Sequence, residues 1–565
     1  MRWKALVGLG VVVRAVCGVG MLSASADTIL FRHHFAGLSA IGERADLAVV
    51  KTLFDLAESR RLRSEAEGKL AARFPAWFGG EAAGTSDHVA ASLPWVRAFL
   101  DRENYAEVTG DVGRLGSWVV AVRWDEAKAV GAGQSLREAL TALYGGKTET
   151  AGNAWDWTGG KAARSPAARF AWVGGWAVLG SGKDAFEGTV DRIRKSGGPV
   201  PGPAEDVAKL EADLPKLASI LGWAAQPSGP VPRWPSVRLV VEPRNGRFRT
   251  SAELSYAEPL GLQLEPWTLP TAKIRDPLVG FTAMQGADRW LGRLAMFAPY
   301  QVTEWPKQFF FWSVAGDPWN QYMAGPMSSP TNFMAKVSLP LPMSMVTNMS
   351  WRGEVFGLRI TNKAMRVEFR GLPYLLPFLE SIRENDTSML FGGLFPQPVG
   401  AAPAPAELLR QVSTRTNLVL YEWETTGRSV LWTNAPGPPG PRVTTNAIGR
   451  LTQFKQLNQY WRLMMNTSTN RVALAAAGEI WTPGWDWVNA AQGYLGDTIT
   501  EVTQTGPSQL KAVRSSQLGF NSMEIAYLLR WLENPGFPGW SDEPFVPAGT
   551  KSVRSPLAPG EAAKP

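Results

Sequence analysis

Few residues in this chain are equipped for catalysis. Three histidines (His33, His34 and His88) and one cysteine (Cys17) stand among 565 residues. A Ser-His-Asp site would have to rest on one of those histidines, and no serine has glycine at both flanking second positions, so the nucleophile elbow is absent. His33 and His34 are adjacent on an expected strand, which sends them to opposite faces, one packed and one at the surface. Gly180-Ser-Gly182-Lys183 is glycine-rich and precedes a helix. A phosphate-binding loop of that kind needs glycine at 177 and Ser or Thr at 184, where the chain has Ala177 and Asp184. Asp184 reads instead as a helix N-cap. No zinc-protease or calcium-loop spacing is present. Met343, Met345 and Met349 offer soft thioethers that suit Cu(I), although methionine more often fills irregular gaps in a core. Paired carboxylates carry glycoside hydrolysis. Asp156 and Asp486, each between two tryptophans, and Asp125 after Trp124 are the carboxylates to inspect, because flanking indoles desolvate an acid and raise its pKa. The competing reading is a strand or loop with packed tryptophans and an outward aspartate. No catalytic, cofactor-binding or metal-binding residue is assigned from this pattern.

Composition narrows the partners. The formal charge is +8. Setting aside Arg2, Lys4 and Arg14 in the N-terminal segment leaves 55 basic against 50 acidic residues. So slight an excess gives no electrostatic footprint for nucleic acid. Arg60, Arg61 and Arg63 have Glu58, Glu65 and Glu67 near them and read as a solvated helix face. The 25 tryptophans are the one excess. Trp118, Trp172, Trp176 and Trp312 lie in apolar strands and are expected in the core. Trp319, Trp481, Trp485 and Trp540 lie in polar Gly/Pro-rich stretches and could stack on sugar rings. The expected partners are a glycan or an envelope protein.

Residues 1–26 have a basic start, an apolar run Ala5 to Val13 and a small-x-small site at Ala24-Ser25-Ala26, the order of a secretory signal peptide. Cys17 falls inside that segment, so the mature chain has no disulfide. No later stretch reaches the 20 or so apolar residues of a spanning helix. The mature protein is expected to be exported, periplasmic or extracellular.

The elements that would position any site follow from periodicity. Thr28 to Gly37 reads as the first strand, followed by helices over Asp46 to Leu56 (capped by Asp46), Arg61 to Phe74, and Leu93 to Leu100 opened by Pro94. Ser117 to Trp124 reads as a buried strand, Leu136 to Tyr144 as a short helix closed by Gly145-Gly146, and Phe170 to Gly180 as a hairpin around Gly174-Gly175. Asp184 to Lys195 and Asp213 to Leu221 return as helices. Asn245-Gly246 separates two alternating runs and predicts a tight hairpin. Asp276 to Leu294 reads as a second start: strand, glycine turn, helix, in the order already seen at Phe31 to Phe54. Strands follow at Gln308 to Val314, Val355 to Ile360, Met365 to Phe369 and Asn417 to Trp423. Ile448 to Met465 carries the longest helical pattern. A second terminal hairpin spans Ile499 to Ser515, and a last helix Ser522 to Leu532. Ala401 to Pro405 and Pro436 to Pro441 are Pro-rich loops.

The expected fold is therefore α+β, as two similar lobes of mainly antiparallel sheet packed with helices, at 27–270 and 271–540, with a disordered tail at 541–565. The stretches HFAGLSAI, LVGFTAMQG, NLVLYEWETT and GDTITEVTQTGPSQLKAVRSSQLGF resemble large exported proteins of unknown function from verrucomicrobial and planctomycete-type bacteria. That resemblance implies export and a two-lobed α+β build, and carries no functional residue. The expected role is a non-enzymatic binding or structural protein of the periplasm or cell envelope. The alternative is a secreted glycan-acting hydrolase using two carboxylates. An enzyme would place two carboxylates in one cleft; a binder would show an aromatic-lined groove without them.

Overall fold

The computed structural model describes residues 28–74, 86–111, 114–158, 167–199, 206–220, 234–288, 302, 304–315, 320–338, 356–360, 364–369, 378–393, 396–397, 400–427, 483–534 and 536–538. The expected helix at Ile448 to Met465, the loop at Pro436 to Pro441, the N-terminal segment 1–26 and the tail 541–565 lie outside these residues.

The chain begins with β1 (Thr28–Phe35) and four helices: α1 (Leu38–Glu43), α2 (Ala48–Asp55), α3 (Ala57–Arg73) and α4 (Ser86–Asp101). Then come β2 (Asn104–Asp111), β3 (Arg114–Arg123), α5 (Glu126–Tyr144), β4 (Lys147–Ala151), β5 (Ala154–Thr158), β6 (Ala167–Val173), β7 (Trp176–Ser181), α6 (Asp184–Ser196), β8 (Ala208–Asp213), α7 (Leu214–Ile220), β9 (Ser236–Arg244) and β10 (Arg247–Ser255). The second half runs β11 (Leu278–Gln285), β12 (Gln308–Val314), β13 (Asn320–Pro326), α8 (Pro330–Ser338), β14 (Phe356–Ile360), β15 (Ala364–Phe369), β16 (Phe378–Glu384), β17 (Thr387–Gly393), α9 (Ala406–Ser413), β18 (Leu418–Thr425), α10 (Pro483–Ala491), β19 (Asp497–Gly506), β20 (Gln509–Ser516) and α11 (Ser522–Glu533). Among the described residues no helix is long and apolar enough to cross a membrane.

All twenty strands belong to one sheet, and every described pairing is antiparallel. Followed from neighbour to neighbour, the first ten strands run 4-5-6-7-3-2-1-8-9-10. The other ten run 14-15-16-17-13-12-11-18-19-20, the same order shifted by ten. The two series join where β10 pairs with β20, with Ala252 opposite Ala512. The fold is thus mixed α+β, with helices packed on a large antiparallel sheet.

Side-chain alternation gives this sheet two faces. One face carries His33, Ala106, Val120 and Leu179 opposite one another on β1, β2, β3 and β7. It is covered by α3, α4 and α5, and the largest apolar core lies between. The other face carries Tyr105, Val119, Ala121 and Val178 under α6. Further along, that second face bears a ladder of alternating charge: Glu107, Arg32, Glu211, Arg238, Glu253 and Lys511 are successive cross-strand partners on β2, β1, β8, β9, β10 and β20. Ion pairs of 3.4 Å (Arg32–Glu107), 3.7 Å (Arg32–Glu211) and 3.7 Å (Arg238–Glu211) lie along it. Opposite charges directly across strands favour this register.

Several local expectations are corrected. Asp46 does not cap a helix; it sits in a 3-10 turn and pairs with Arg44 at 3.1 Å, because α2 begins only at Ala48. Pro94 lies inside α4 rather than opening it. Burial of Trp95, Val96 and Ala98 holds the helix together through the missing N–H. The short helix at Leu136 starts ten residues earlier, at Glu126, behind Asp125. Its first turns are Ala/Gly-rich and lack an apolar stripe because they pack closely: a Cβ on Gly133 would lie 3.0 Å from the Phe170 ring. Asp184 is the first residue of α6, not its cap, and the Ala185 N–H is met by Ser117 Oγ at 2.9 Å. The charged face of α3 is not wholly solvated either. Glu67 is buried and accepts from Arg63 (2.7 Å) and from Arg97 of α4 (2.9 Å), while Arg61 pairs with Asp486 of α10.

Candidate functional site

The candidate site is an apolar pocket between the sheet and its helical roof. Its floor is Ala106 of β2, Val120 and Val122 of β3, and Leu179 of β7. Its roof is Leu70 and Phe74 at the end of α3, with Trp95, Val96, Phe99 and Leu100 of α4. Phe31, Trp118 and His33 complete the wall. The floor is recessed because Ala106 ends at Cβ and the valines beside it are short. The roof is held off that floor by its own contacts. Glu67 ties α3 to α4, and Trp95 donates its indole N–H to Ala132 O of α5 at 3.2 Å while packing edge-on against Trp124 and Phe170. The cavity proper is about 60 Å³, within a cleft of about 770 Å³ that includes open solvent. At about 10–15 Å³ per water, that interior takes about four to six water-sized groups, enough for a chain end or the edge of a ring whose body lies in the open cleft.

Among the described residues His33 is the only ionisable side chain in this wall. Its ring is stacked between Phe31 and Phe35, at 6.4 Å and 6.3 Å, the two neighbours on the same strand face. Burial among apolar groups, reinforced by the neighbouring His34, lowers its pKa to about 4. The imidazole is therefore neutral at pH 7, offering one N–H and one lone-pair nitrogen. His34 points to the opposite face. It is buried rather than exposed, since Glu103 meets its Nε2 at 3.1 Å. The expectation of one packed and one surface histidine is corrected to that extent. The bond from His34, and then Arg123, holds the Glu103 carboxyl below its ordinary range despite its burial.

His33 implies a pH signature. The folded state holds the ring neutral while the unfolded chain protonates it near 6.5, so the unfolded state binds more protons between pH 6.5 and 4. Stability from this group is complete above about 6.5 and is lost progressively as pH falls toward 4, by about 1–2 kcal/mol once the solvent exposure of the half-buried ring is allowed for. Glu103 adds acid lability only below its unfolded value of 4.5. Urea unfolding of the wild type and of His33→Phe across pH 4–7 should diverge in that window; parallel curves would refute the assignment.

The residues singled out from sequence are scattered rather than gathered. Asp125 accepts the Lys128 N–H at 3.3 Å and caps α5. Asp156 faces outward from β5, forked by Arg169 at 3.0 Å and 3.4 Å, while Trp155 and Trp157 pack inward. Asp486 on α10 pairs with Arg61 at 2.5 Å. None of the three meets another. His88 lies half-buried on α4, away from the pocket wall. The phosphate-loop lookalike is close-packed: a Cβ on Gly180 would lie 2.6 Å from Trp118 O, and Gly182 sits at φ 79° against Ser117. Trp118, Trp176 and Trp312 are core residues, Trp172 is half-buried, and Trp487 donates to Ser59 Oγ at 2.7 Å. Met343, Met345, Met349, Trp319, Trp481 and Trp540, and the Trp485 side chain, lie outside the described residues. Among the described residues no group of three or more His, Cys, Asp or Glu could hold a metal ion.

Sequence reasoning missed the roof and floor of the pocket. Its one local signal was FRHHF, which places a lone histidine between two phenylalanines on one strand face. The chain matches no known protein family, no characterised protein and no solved structure.

Proposed function

We propose that this chain is an exported, non-enzymatic binding protein of the periplasm or cell envelope that takes an apolar group into the pocket beneath α3 and α4. The observation that carries the reading is the pocket itself: a recessed, aromatic-lined cavity with a single uncharged polar group. That is the common make-up of small-molecule sites. Export is supported by the signal-like composition of residues 1–26 and by the resemblance to large exported bacterial proteins. The repeated strand order supports two related lobes joined through β10 and β20. The two-carboxylate hydrolase draws no support from Asp125, Asp156 or Asp486, each of which is engaged by a helix terminus or an arginine.

The test is a thermal-shift and tryptophan-fluorescence screen of residues 27–565 with alkylbenzenes, medium-chain alcohols and acyl lipids. A ligand at 100 times its Kd adds about 2.7 kcal/mol of stability. Val120→Trp fills the cavity and should abolish the shift while the far-ultraviolet circular dichroism stays native. A panel without effect, or a Val120→Trp protein that binds as well as the wild type, overturns the reading.

A further inference from the structure

Twelve of the thirteen residues lining the pocket are apolar or aromatic, and the thirteenth is His33. Its ring is fixed in orientation by Phe31 and Phe35 on either side. Among the described residues the His33 ring makes no hydrogen bond, and it is half-buried in the pocket wall. Trp95, which also lines the pocket, already spends its indole N–H on Ala132. His33 is half-buried, so a ligand that covers its ring nitrogens without meeting them costs free energy that a ligand oxygen avoids. Among the described residues a charged ligand group would find no counter-charge in this wall to offset its desolvation.

Resting on the binding reading above, we infer that the pocket selects an uncharged amphiphile: a small ring or chain end carrying one hydroxyl or carbonyl oxygen, which His33 meets while the apolar body lies over Ala106 and Val120. His33 is thus a specificity-determining residue. A neutral hydroxyl loses one hydrogen bond to water and regains one to the imidazole, whereas an alkyl isostere leaves the imidazole unmet.

The experiment compares p-cresol, p-xylene and 4-methylbenzoate, three para-substituted rings of similar size, by titration of the full mature chain. Wild type should bind p-cresol about three- to tenfold more tightly than p-xylene, the range of one net neutral hydrogen bond, and should not bind 4-methylbenzoate. His33→Phe keeps an aromatic ring in place but leaves the cresol hydroxyl unmet, so p-xylene should then bind at least as tightly as p-cresol. His33→Gln, which retains a donor and an acceptor, should keep part of the preference and serves if the phenylalanine variant folds poorly. Equal binding of p-cresol and p-xylene by wild type, a preference that survives His33→Phe, or tight 4-methylbenzoate binding overturns the inference while leaving the pocket as a site. Failure of all three rings to bind overturns the binding reading together with it.

Discussion

Glu424→Ala is expected to cost about 2–4 kcal/mol of folding stability, because it leaves two buried donors at the start of a helix without their acceptor. Glu424 on β18 is fully buried. Its oxygens accept from the Ser522 N–H at 2.6 Å, the Ser522 hydroxyl at 2.7 Å and the Thr426 hydroxyl at 3.4 Å. Ser522 is the first residue of α11, whose orphan N–H groups need partners. Asn521 and Glu524 meet two of them reciprocally, at 2.9 Å and 3.1 Å, as a capping box. Glu424 supplies an acceptor for a third, the Ser522 N–H. Arg514 of β20, itself buried, donates to Glu524 and, through Nε, to the Thr500 hydroxyl at 2.8 Å. The far end of α11 is fastened by Lys69 of α3, which donates to Leu532 O at 2.7 Å. Removing Glu424 leaves the Ser522 N–H and hydroxyl buried without their acceptor, while the Thr426 hydroxyl keeps its 2.6 Å bond with Thr498. Glu424→Gln keeps shape and one acceptor and should cost about half as much. The measurement is the urea midpoint at constant m-value, together with amide exchange across 522–533. A loss below about 1 kcal/mol for Glu424→Ala would refute this account.

Gly37→Ala should cost about 4 kcal/mol, the sum of backbone strain and overpacking. Gly37 follows β1 with φ 92° and ψ 151°, a region that only glycine occupies comfortably. A Cβ there would lie 2.5 Å from Arg102 C and 2.6 Å from Asp101 O. Both are backbone atoms at the end of α4, so no side chain can rotate away. Relief requires moving α4, which carries Phe99 and Leu100 in the pocket roof. The same variant should therefore weaken p-xylene binding as well as lower the urea midpoint. Gly152→Ala separates the two terms: it also has positive φ, 60°, but nothing lies within reach of its Cβ. It should cost only about 1 kcal/mol of strain. Equal losses for the two variants would show that the contact with α4 contributes nothing.

Local features were legible where short-range sterics decide them. Asn245-Gly246 takes φ 52° and 76° between β9 and β10, as its turn requires. Gly174-Gly175 turns β6 into β7, and Gly145 closes α5. Trp155 and Trp157 pack inward with Asp156 outward, as period-two alternation demands. Caps and helix starts were read less well, because the groups that satisfy them come from elsewhere in the chain. Ser117 serves α6 and Glu424 serves α11, and no local pattern contains either.

The pocket was illegible for the same reason. His33 and its flanking phenylalanines were visible, but Ala106 and Val120 reach them only through the β1–β2 and β2–β3 registers. The roof arrives through the packing of α3 and α4, which depends on a buried Glu67 that looked like one more surface charge. By itself the sequence determined the α+β class, the single cysteine, most strands and the tight turns, because propensity, alternation and positive φ act over a few residues. Only the tertiary structure decided the order of the twenty strands, the β10–β20 join and the cavity beside His33. Those rest on contacts between residues far apart in the chain, whose free energy appears only when the whole sheet and its helices close together.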